Sequence, residues 1–350
     1  MIASPLALPS LPAVSWLDTD LFGRLPLPPH LAADADTDAI VARARELARG
    51  SKAAETRRSY RTSWIQWCAF CERLGYEPLG GDVRAVGLFL ADLSRTKSLA
   101  TVRTRLAAVS TAHRIAGVPL DTRAAPIATV VEGFKREHGI RPFKQATPLL
   151  LDVLPRFLAA YETPLPANRR DKALLLVGFA GALRRSELVA LDVSDLEFTD
   201  KGLVIHLRRS KTDQHGKGEM IAIHKGANIA LCPVTALENW LDLRTSVPGP
   251  LFTRLHKGGR VTSIRLRPQA VSLIVKRAVE AIGFDPQTFS GHSLRAGLAT
   301  SAALAGADLH QIMTQTRHRS ADVARRYIRH AEVWRDNVTR LLFCADQPQE

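Results

Sequence analysis

Six side chains in four short segments are of the types that phosphoryl transfer without a metal ion requires. A guanidinium group is permanently charged, and its planar fork matches two phosphate oxygens, so an arginine can hold a phosphodiester. A tyrosine can attack phosphorus where positive charge stabilises its phenolate. The six residues are Arg184, Lys211, His292, Arg295, His318 and Tyr327. Together they indicate attack by a tyrosine on a phosphate group.

Lys211 is a candidate for proton transfer, and His292 and Arg295 are candidates for holding the phosphate. Lys211 lies in the polar segment Ser210–Gly218, and a lysine, unlike an arginine, can release its proton when its surroundings lower its pKa. It is therefore a candidate donor to a leaving oxygen. His292 and Arg295 lie three residues apart in a predicted helix, so one helix face carries both side chains. Both are candidates to contact one phosphate.

Tyr327 follows His318 by nine residues, and Ser320 is a candidate N-cap for the helix that carries the tyrosine. Each segment alone has an ordinary interpretation. Arg184 would be a helix-surface residue, Lys211 a solvated loop residue and Tyr327 an aromatic side chain packed in a helix. The agreement of the four segments favours the chemical interpretation.

The charge balance favours a polyanionic partner. The 350 residues carry a formal net charge of +14, and each basic side chain that meets a phosphate releases a condensed counterion. The excess lies in residues 51–145 and 146–350, not in a basic tail. Composition alone leaves two interpretations open, nucleic-acid binding and general solubility.

The cysteines and the hydropathy indicate the compartment. Four scattered cysteines, at 68, 71, 232 and 344, predict no disulfide framework and are typical of a reducing environment. The pair Cys68-x-x-Cys71 lacks a second ligand pair nearby, so no metal site is expected. No window approaches the roughly 20 apolar residues of a membrane span. We expect a cytoplasmic, nucleoid-associated protein without metal, cofactor or membrane partner.

The hydrophobic pattern predicts two domains, because the chain is longer than one core usually serves. Five segments are expected: a flexible leader at 1–50, a helical DNA-binding domain at 51–140, a linker at 141–148, a catalytic domain at 149–345 and a tail at 346–350. The end of the leader, Ile40–Gly50, is expected to begin a helix.

The predicted DNA-binding domain is all-helical. An apolar stripe with three- and four-residue steps predicts a buried helix face at Tyr60, Trp64, Trp67, Cys68, Cys71 and Leu74. Ser98 is the predicted N-cap of a second helix, and Val130–Glu137 is a third. Basic residues of the chain that are candidate DNA contacts are Arg103, Arg105, Arg114, Arg208 and Arg209. A solvated charged face is the alternative interpretation.

The predicted catalytic domain is mostly helical with a small antiparallel sheet. Helices are predicted at Asp171–Ala180 and Arg184–Leu191. Alternating patterns then predict three strands, at Val193–Phe198, Leu203–Leu207 and Met220–Ile223. Helices are expected to resume from Val234 to the end, with breaks at Pro248–Pro250 and Gly258-Gly259.

The order and spacing of these motifs resemble those of the tyrosine recombinase (phage integrase) family. The resemblance covers roughly residues 51–345 and is strongest after Ala180. Leu183-Arg184-x-x-Glu187-Leu188 looks like the family's first arginine motif and His292-x-x-Arg295 like its second. Lys211 lies where the family has its hairpin lysine, and His318 with Tyr327 matches its spacing to the nucleophile. Two positions depart from the family pattern: Arg317, where a glycine commonly stands, and Ala296, where many members have a histidine.

The resemblance implies a fold, a mechanism and an assembly. The fold would be mainly α, with an N-terminal helical core-binding domain and a C-terminal α+β catalytic domain that clamp duplex DNA at a recombination site. Tyr327 would form a 3′-phosphotyrosyl link without metal or ATP. Protomers that are monomeric when free would form a homo-tetramer on DNA and exchange strands through a Holliday junction. A final apolar stripe would dock on a neighbouring protomer or on its own core, at Trp334, Val338, Leu341 and Leu342.

Two other functions remain open from the sequence. A type IB topoisomerase-like enzyme would use similar chemistry to relax DNA without pairing two sites. A non-catalytic DNA-binding protein would use a helix-turn-helix around Gly306, between predicted helices at Leu294–Ala305 and Asp308–Gln315. The second interpretation leaves Lys211, His318 and Tyr327 without a role.

Overall fold

Two units make up the chain in the computed structural model, Met1–Phe143 and Lys144–Glu350. Each is described by itself. The structure describes residues 35–139, 146–208, 218–244, 248–318, 320–325, 327 and 339. Of the segments discussed above, the first part of the leader, most of the linker, the segment with Lys211 and the final apolar stripe lie outside this range.

The described residues of the first unit form five helices. They are α1 (Ala35–Gly50), α2 (Ala54–Leu74), α3 (Val83–Ser94), α4 (Leu99–Ala116) and α5 (Ala125–His138). Helix α1 begins earlier than the predicted Ile40, so the region expected to be a flexible leader ends in a helix. Helix α3 was not predicted, although Asp82 caps its start by accepting hydrogen bonds from the amides of Arg84 and Ala85. Ser98 caps α4 as predicted, with its hydroxyl accepting from the Thr101 amide.

The core of the first unit lies on the predicted aromatic face of α2. Trp64, Trp67, Cys68 and Cys71 are all buried, which confirms that part of the stripe. Leu74 was predicted wrongly, because it is 48% exposed in the last turn of the helix. The apolar pattern of the sequence continues to Leu74 at the end of α2, but neighbouring residues do not cover that side chain.

The second unit combines seven helices of the described residues with five short strands. The helices are α6 (Leu154–Ala159), α7 (Pro166–Ala180), α8 (Arg185–Ala190), α9 (Pro233–Arg244), α10 (Pro268–Ala281), α11 (His292–Leu304) and α12 (Leu309–Thr316). The strands are β1 (Leu196–Thr199), β2 (Gly202–Leu207), β3 (Glu219–His224), β4 (Thr253–Leu255) and β5 (Val261–Arg265). The unit is thus mainly helical, as predicted, and its described residues form two small antiparallel sheets where one was predicted.

The three-stranded sheet has the order β1-β2-β3 and is antiparallel throughout. Leu203 pairs with Ile223 and Ile205 with Ile221, and these four side chains face the core. The predicted first strand begins too early at Val193. Residues 193–195 instead form a 3-10 turn, which Asp195 closes by accepting a hydrogen bond from the Asp192 amide at 2.8 Å.

The two-stranded sheet corrects another prediction. Strands β4 and β5 pair as an antiparallel hairpin in a region where helices were expected. Gly258-Gly259 is the turn of that hairpin, not a break between helices, and Gly259 has a left-handed φ of 82°. Both strands are too short for their alternating pattern to stand out from a broken helical one.

Helix α11 is the element that positions the candidate site, and it packs closely on the start of the unit. A Cβ atom on Gly297 would lie 1.8 Å from the carbonyl oxygen of Leu149. The Leu149 amide also donates a hydrogen bond to the carbonyl oxygen of Ser293 at 3.0 Å. Only glycine permits this approach, which fixes the depth at which α11 lies.

Among the helices that the structure describes, none is long and apolar enough to cross a membrane. Within the same residues, no cluster of three or more His, Cys, Asp or Glu side chains is arranged to hold a metal ion.

Replacing Gly297 with alanine is expected to lower the free energy of unfolding by about 3 kcal/mol, because the methyl group would overlap backbone atoms that cannot move freely. Gly133→Ala in α5 is the matched control. No atom of the described residues outside its own helix lies within 4 Å of that Cβ position, so alanine there should stabilise by up to about 1 kcal/mol. Urea unfolding followed by circular dichroism measures both variants. Equal stability of Gly297→Ala and the unaltered protein would contradict the packing described.

Candidate active site

Arg295 lies in the first turn of α11 and is the most buried charged group of the candidate site, at 1% exposure. Its Nη1 donates a hydrogen bond to the carbonyl oxygen of Ala182 at 2.7 Å. Ala182 has a left-handed φ of 45°, in the turn between α7 and α8. Nη2 of Arg295 is buried and has no hydrogen-bond partner within the described residues. Leaving such a donor unpaired is costly, so an anionic acceptor such as a phosphate oxygen would fit here.

Arg184 stands at the start of α8 and is held by the buried carboxylate of Glu187. One carboxylate oxygen accepts a hydrogen bond from the Arg184 amide at 2.9 Å, and the other accepts from Arg184 Nη1. Burial alone would raise the pKa of Glu187. The amide hydrogen bond and the charges of Arg317 and Arg184 outweigh that effect and leave this pKa below its ordinary value. Glu187 is therefore ionised at neutral pH and fixes Arg184 through both of its oxygens.

Tyr327 contacts two histidine rings. Its hydroxyl oxygen is 2.7 Å from Nε2 of His292, within hydrogen-bond distance. The ring of His318 stacks on the phenol, with ring centroids 5.6 Å apart and planes 20° from parallel. The Thr300 hydroxyl donates to the backbone carbonyl of Tyr327 at 3.2 Å. The phenol is thus placed by His292 of α11 and by His318, which lies two residues after the end of α12.

The hydrogen bonds around His318 assign its tautomer. The Thr316 hydroxyl donates its proton to the carbonyl oxygen of Ile312 at 2.6 Å. The same hydroxyl oxygen is 2.7 Å from Nδ1 of His318 and must therefore accept a hydrogen bond from an N–H at that nitrogen. Since neutral imidazole carries one N–H, Nε2 of His318 is then an acceptor.

The two histidines are kept neutral by their surroundings. Desolvation, followed by the charges of Arg295 and Arg184, lowers the pKa of His318 to about 4. The same causes lower the pKa of His292, although this residue is exposed to solvent. Burial and the charges of Arg184 and Arg317 lower the pKa of Arg295 to about 10, which still leaves it charged at neutral pH. The site therefore combines permanent cations with neutral bases.

The structure brings five of the six predicted chemical residues together in the second unit. They are Arg184, His292, Arg295, His318 and Tyr327. Lys211, the sixth, lies outside the described residues. Residues 321–325 and Tyr327 are helical, and the backbone carbonyl of Ser320 accepts from the amides of Val323 and Ala324 at the start of that helix.

The candidate DNA contacts differ in their availability. Arg103 and Arg114 are exposed on α4. Arg105 is half-buried and donates to the Ser63 hydroxyl at 2.6 Å, and desolvation lowers its pKa. Arg208 is exposed but is paired with Asp195 at 2.6 Å, so part of its charge is already neutralised. Arg209 lies outside the described residues.

Two charged residues of the site were not assigned a role from the sequence. Glu187 was noted only as part of a motif, although its position three residues after Arg184 at a helix start is a signal for such a contact. Arg317 is buried, with 7% of its side chain exposed, and its Nη2 donates to Glu187 at 2.8 Å. The sequence marks Arg317 only as a departure from the family pattern and gives no sign that it is more buried than the exposed Arg325.

The chain is similar to known proteins of one family. The model of the phage integrase family matches residues 149–333. The integrase/recombinase xerD homolog of Selenomonas ruminantium is 35% identical over 297 residues, which cover 84% of this chain and 86% of that protein. The recombinase cre of Escherichia phage P1 is 27% identical over 304 residues, covering 80% and 84%.

A solved structure confirms the predicted fold class. The XerH site-specific recombinase, in a post-cleavage complex with a palindromic difH substrate, superposes with a TM-score of 0.60 at 18% identity. The match covers 89% of this chain and 86% of the other. Because the family model spans more than half of the chain and the xerD homolog is similar along most of its length, this chain belongs to the phage integrase family of tyrosine recombinases.

Proposed function

We propose that this tyrosine recombinase cleaves one strand of duplex DNA by attack of the Tyr327 hydroxyl on a backbone phosphate. The observation that carries the proposal is the 2.7 Å contact between that hydroxyl and His292, beside a buried Arg295 nitrogen without a partner in the described residues. A nucleophile, a neutral base and an unfilled phosphate-binding donor thus lie in one site.

In the cleavage step, the bond between Tyr327 Oη and phosphorus forms, and the bond between phosphorus and the 5′ oxygen breaks. The tyrosine proton passes to neutral His292, and Lys211 donates a proton to the departing 5′ oxygen. Arg184 and Arg295 hold the non-bridging oxygens and stabilise the charge of the transition state. The products are a 3′-phosphotyrosyl link and a free 5′ hydroxyl.

Rejoining reverses these steps with a hydroxyl from another strand. The phosphodiester energy is kept in the tyrosyl link, so the cycle we propose needs neither ATP nor a metal cofactor. Recombination then requires two DNA sites, and we propose that four protomers pair them and exchange strands through a Holliday junction. The protomer would be monomeric when free.

We assign DNA binding and catalysis to different units. We propose that residues 51–140 form a DNA-binding domain, that 141–148 link it to a catalytic domain at 149–345, and that the protein acts on DNA in the cytoplasm, at the nucleoid. The exposed Arg103 and Arg114 of α4 support a phosphate-contacting surface on the first unit.

Tyr327→Phe is expected to abolish the covalent protein–DNA complex while DNA affinity stays within a few-fold of that of the unaltered protein, because only the attacking oxygen is removed. The measurement is trapping of the complex on a nicked DNA substrate, resolved by denaturing electrophoresis. Covalent complex at the normal level would contradict the assignment of the nucleophile. On a plasmid with two sites, relaxation without recombination would favour the topoisomerase-like alternative.

Arg295→Gln is expected to slow cleavage by about 100- to 1,000-fold, as the loss of a preorganised donor to transition-state charge usually does. Arg244→Gln is the control, because Arg244 is also buried but contacts the backbone carbonyl of Pro250 at the end of α9. Single-turnover rates of covalent-complex formation should separate the two variants. A rate for Arg295→Gln equal to that of the control would remove Arg295 from the mechanism.

The pH dependence of cleavage should reflect the lowered histidine pKa values. A histidine that acts as a neutral base loses its function as the pH falls through its pKa. Since the pKa of His318 is lowered to about 4 and that of His292 is also lowered, activity should persist below about pH 6.5, the ordinary histidine value. The second-order rate constant at subsaturating DNA reports the free enzyme. A loss of activity on acidification with its midpoint at or above the ordinary histidine value would contradict the neutral-base role.

A further inference from the structure

Arg317 occupies a backbone position that favours glycine. Its φ is 55°, and Ala182 is the other non-glycine residue with a positive φ in the described part of the chain. Arg317 ends α12 as a left-handed cap, with its amide directed to the carbonyl oxygens of Met313 and Thr314. A residue with a side chain is strained in this conformation, so contacts of the side chain must compensate.

The Arg317 side chain makes several contacts with other residues of the chain. Nη2 of Arg317 donates to Glu187 at 2.8 Å, and Nη1 donates to the carbonyl oxygens of Gly181 and Gln315 at 3.1 and 3.3 Å. Nε lies 3.4 Å from a carboxylate oxygen of Glu219. With 7% of its side chain exposed, Arg317 has its terminal nitrogens occupied by the protein. It is therefore placed as a structural cation, not as a phosphate clamp.

We propose that Arg317 is a positioning residue that shares the Glu187 carboxylate with Arg184 and thereby keeps Arg184 available for the phosphate. This inference rests on the proposed function. Glu187 carries one negative charge, and its two oxygens contact Arg184 and Arg317 together. The trio keeps a net positive charge. Without Arg317, the pair of Arg184 and Glu187 would be neutral, and the carboxylate would keep its contacts with Arg184 but lose the one that ties it to the end of α12.

Arg317 also forms a weaker ion pair with Glu219 of β3. Glu219 is the first residue of β3 and follows the segment 209–217, which contains Lys211 and lies outside the described residues. The contact between Arg317 and Glu219 is longer, at 3.4 Å, and the buried Glu219 oxygen forms no hydrogen bond within the described residues. We therefore assign the effect of Arg317 to Glu187 and Arg184, and Glu219→Gln serves as the matched control.

The test compares cleavage of two DNA substrates by the full chain in a single turnover. One has an ordinary phosphate at the scissile position, and the other has a methylphosphonate, which lacks the negative charge that Arg184 would neutralise. Arg317→Gly should form the covalent complex about 100-fold more slowly on the phosphate, as small misplacements of reacting groups do. DNA affinity should stay within a few-fold of normal. On the methylphosphonate, the difference from the unaltered protein should shrink to a few-fold.

Two further variants sharpen the result. Arg317→Lys should restore part of the rate on the phosphate, because a lysine carries the charge but lacks the planar fork that bridges Glu187 and the carbonyl groups. Glu219→Gln should cleave both substrates within a few-fold of the unaltered protein. Rates are expressed per folded molecule from thermal melting of each variant, so that instability is not counted as lost chemistry.

The outcomes separate this inference from the proposed function. If the unaltered protein forms no covalent complex on the phosphate, the proposed function fails. If it does, an Arg317→Gly variant that is normal on the phosphate, or equally slow on both substrates, overturns the positioning role. A third outcome would also overturn the positioning role. In it, Glu219→Gln has the same defect, and a substrate with a 5′ sulfur leaving group, which needs no protonation, restores the rate. That result would assign the effect to the segment with Lys211.

Discussion

Positive charge confined in a desolvated pocket is the constraint on which the rest of this site depends. Arg295 is 1% exposed and has Arg184 and Arg317 as like-charged neighbours, which together with burial lower its pKa to about 10. Such an arrangement costs stability, and Glu187 offsets part of that cost. An incoming phosphate would offset more, because it brings negative charge to a donor that lacks a partner among the described residues. The pocket thus suits the phosphate that we propose as its ligand, and the extra charge that this phosphate would gain in the transition state.

The scaffold holds this charge by backbone features that tolerate little change. Gly297 lets α11 lie against Leu149, and this fixes the depth of Arg295 and His292. The left-handed turn at Ala182 provides the carbonyl group that Arg295 requires. The main chain therefore places Arg295. The histidines stay neutral first because they are desolvated and second because Arg295 and Arg184 lie nearby.

The sequence allowed the chemical side chains to be predicted by type and order, and five of them do lie in one site. Their partners were harder to predict. Glu187 and Arg317 contact each other although they lie far apart in the chain. The sequence also does not distinguish a buried arginine from a solvated one. The fold was predictable where the pattern is long, as in α2 and α4. The fold was not predictable where the elements are short, as in the hairpin of β4 and β5. It was also not predictable where a turn precedes a strand, as at Val193. Leu74 shows that periodicity does not indicate where burial ends.

The most direct test of this site is a crystal structure of the Tyr327→Phe protein bound to duplex DNA containing its recombination site. We expect a non-bridging oxygen of one phosphate to lie about 3 Å from Nη2 of Arg295, with phosphorus facing the edge of residue 327 that carried the hydroxyl. Arg184 should contact the same phosphate. A complex in which every DNA phosphate stays beyond hydrogen-bond reach of Arg295, with His292 and residue 327 turned away from the DNA, would contradict the central claim.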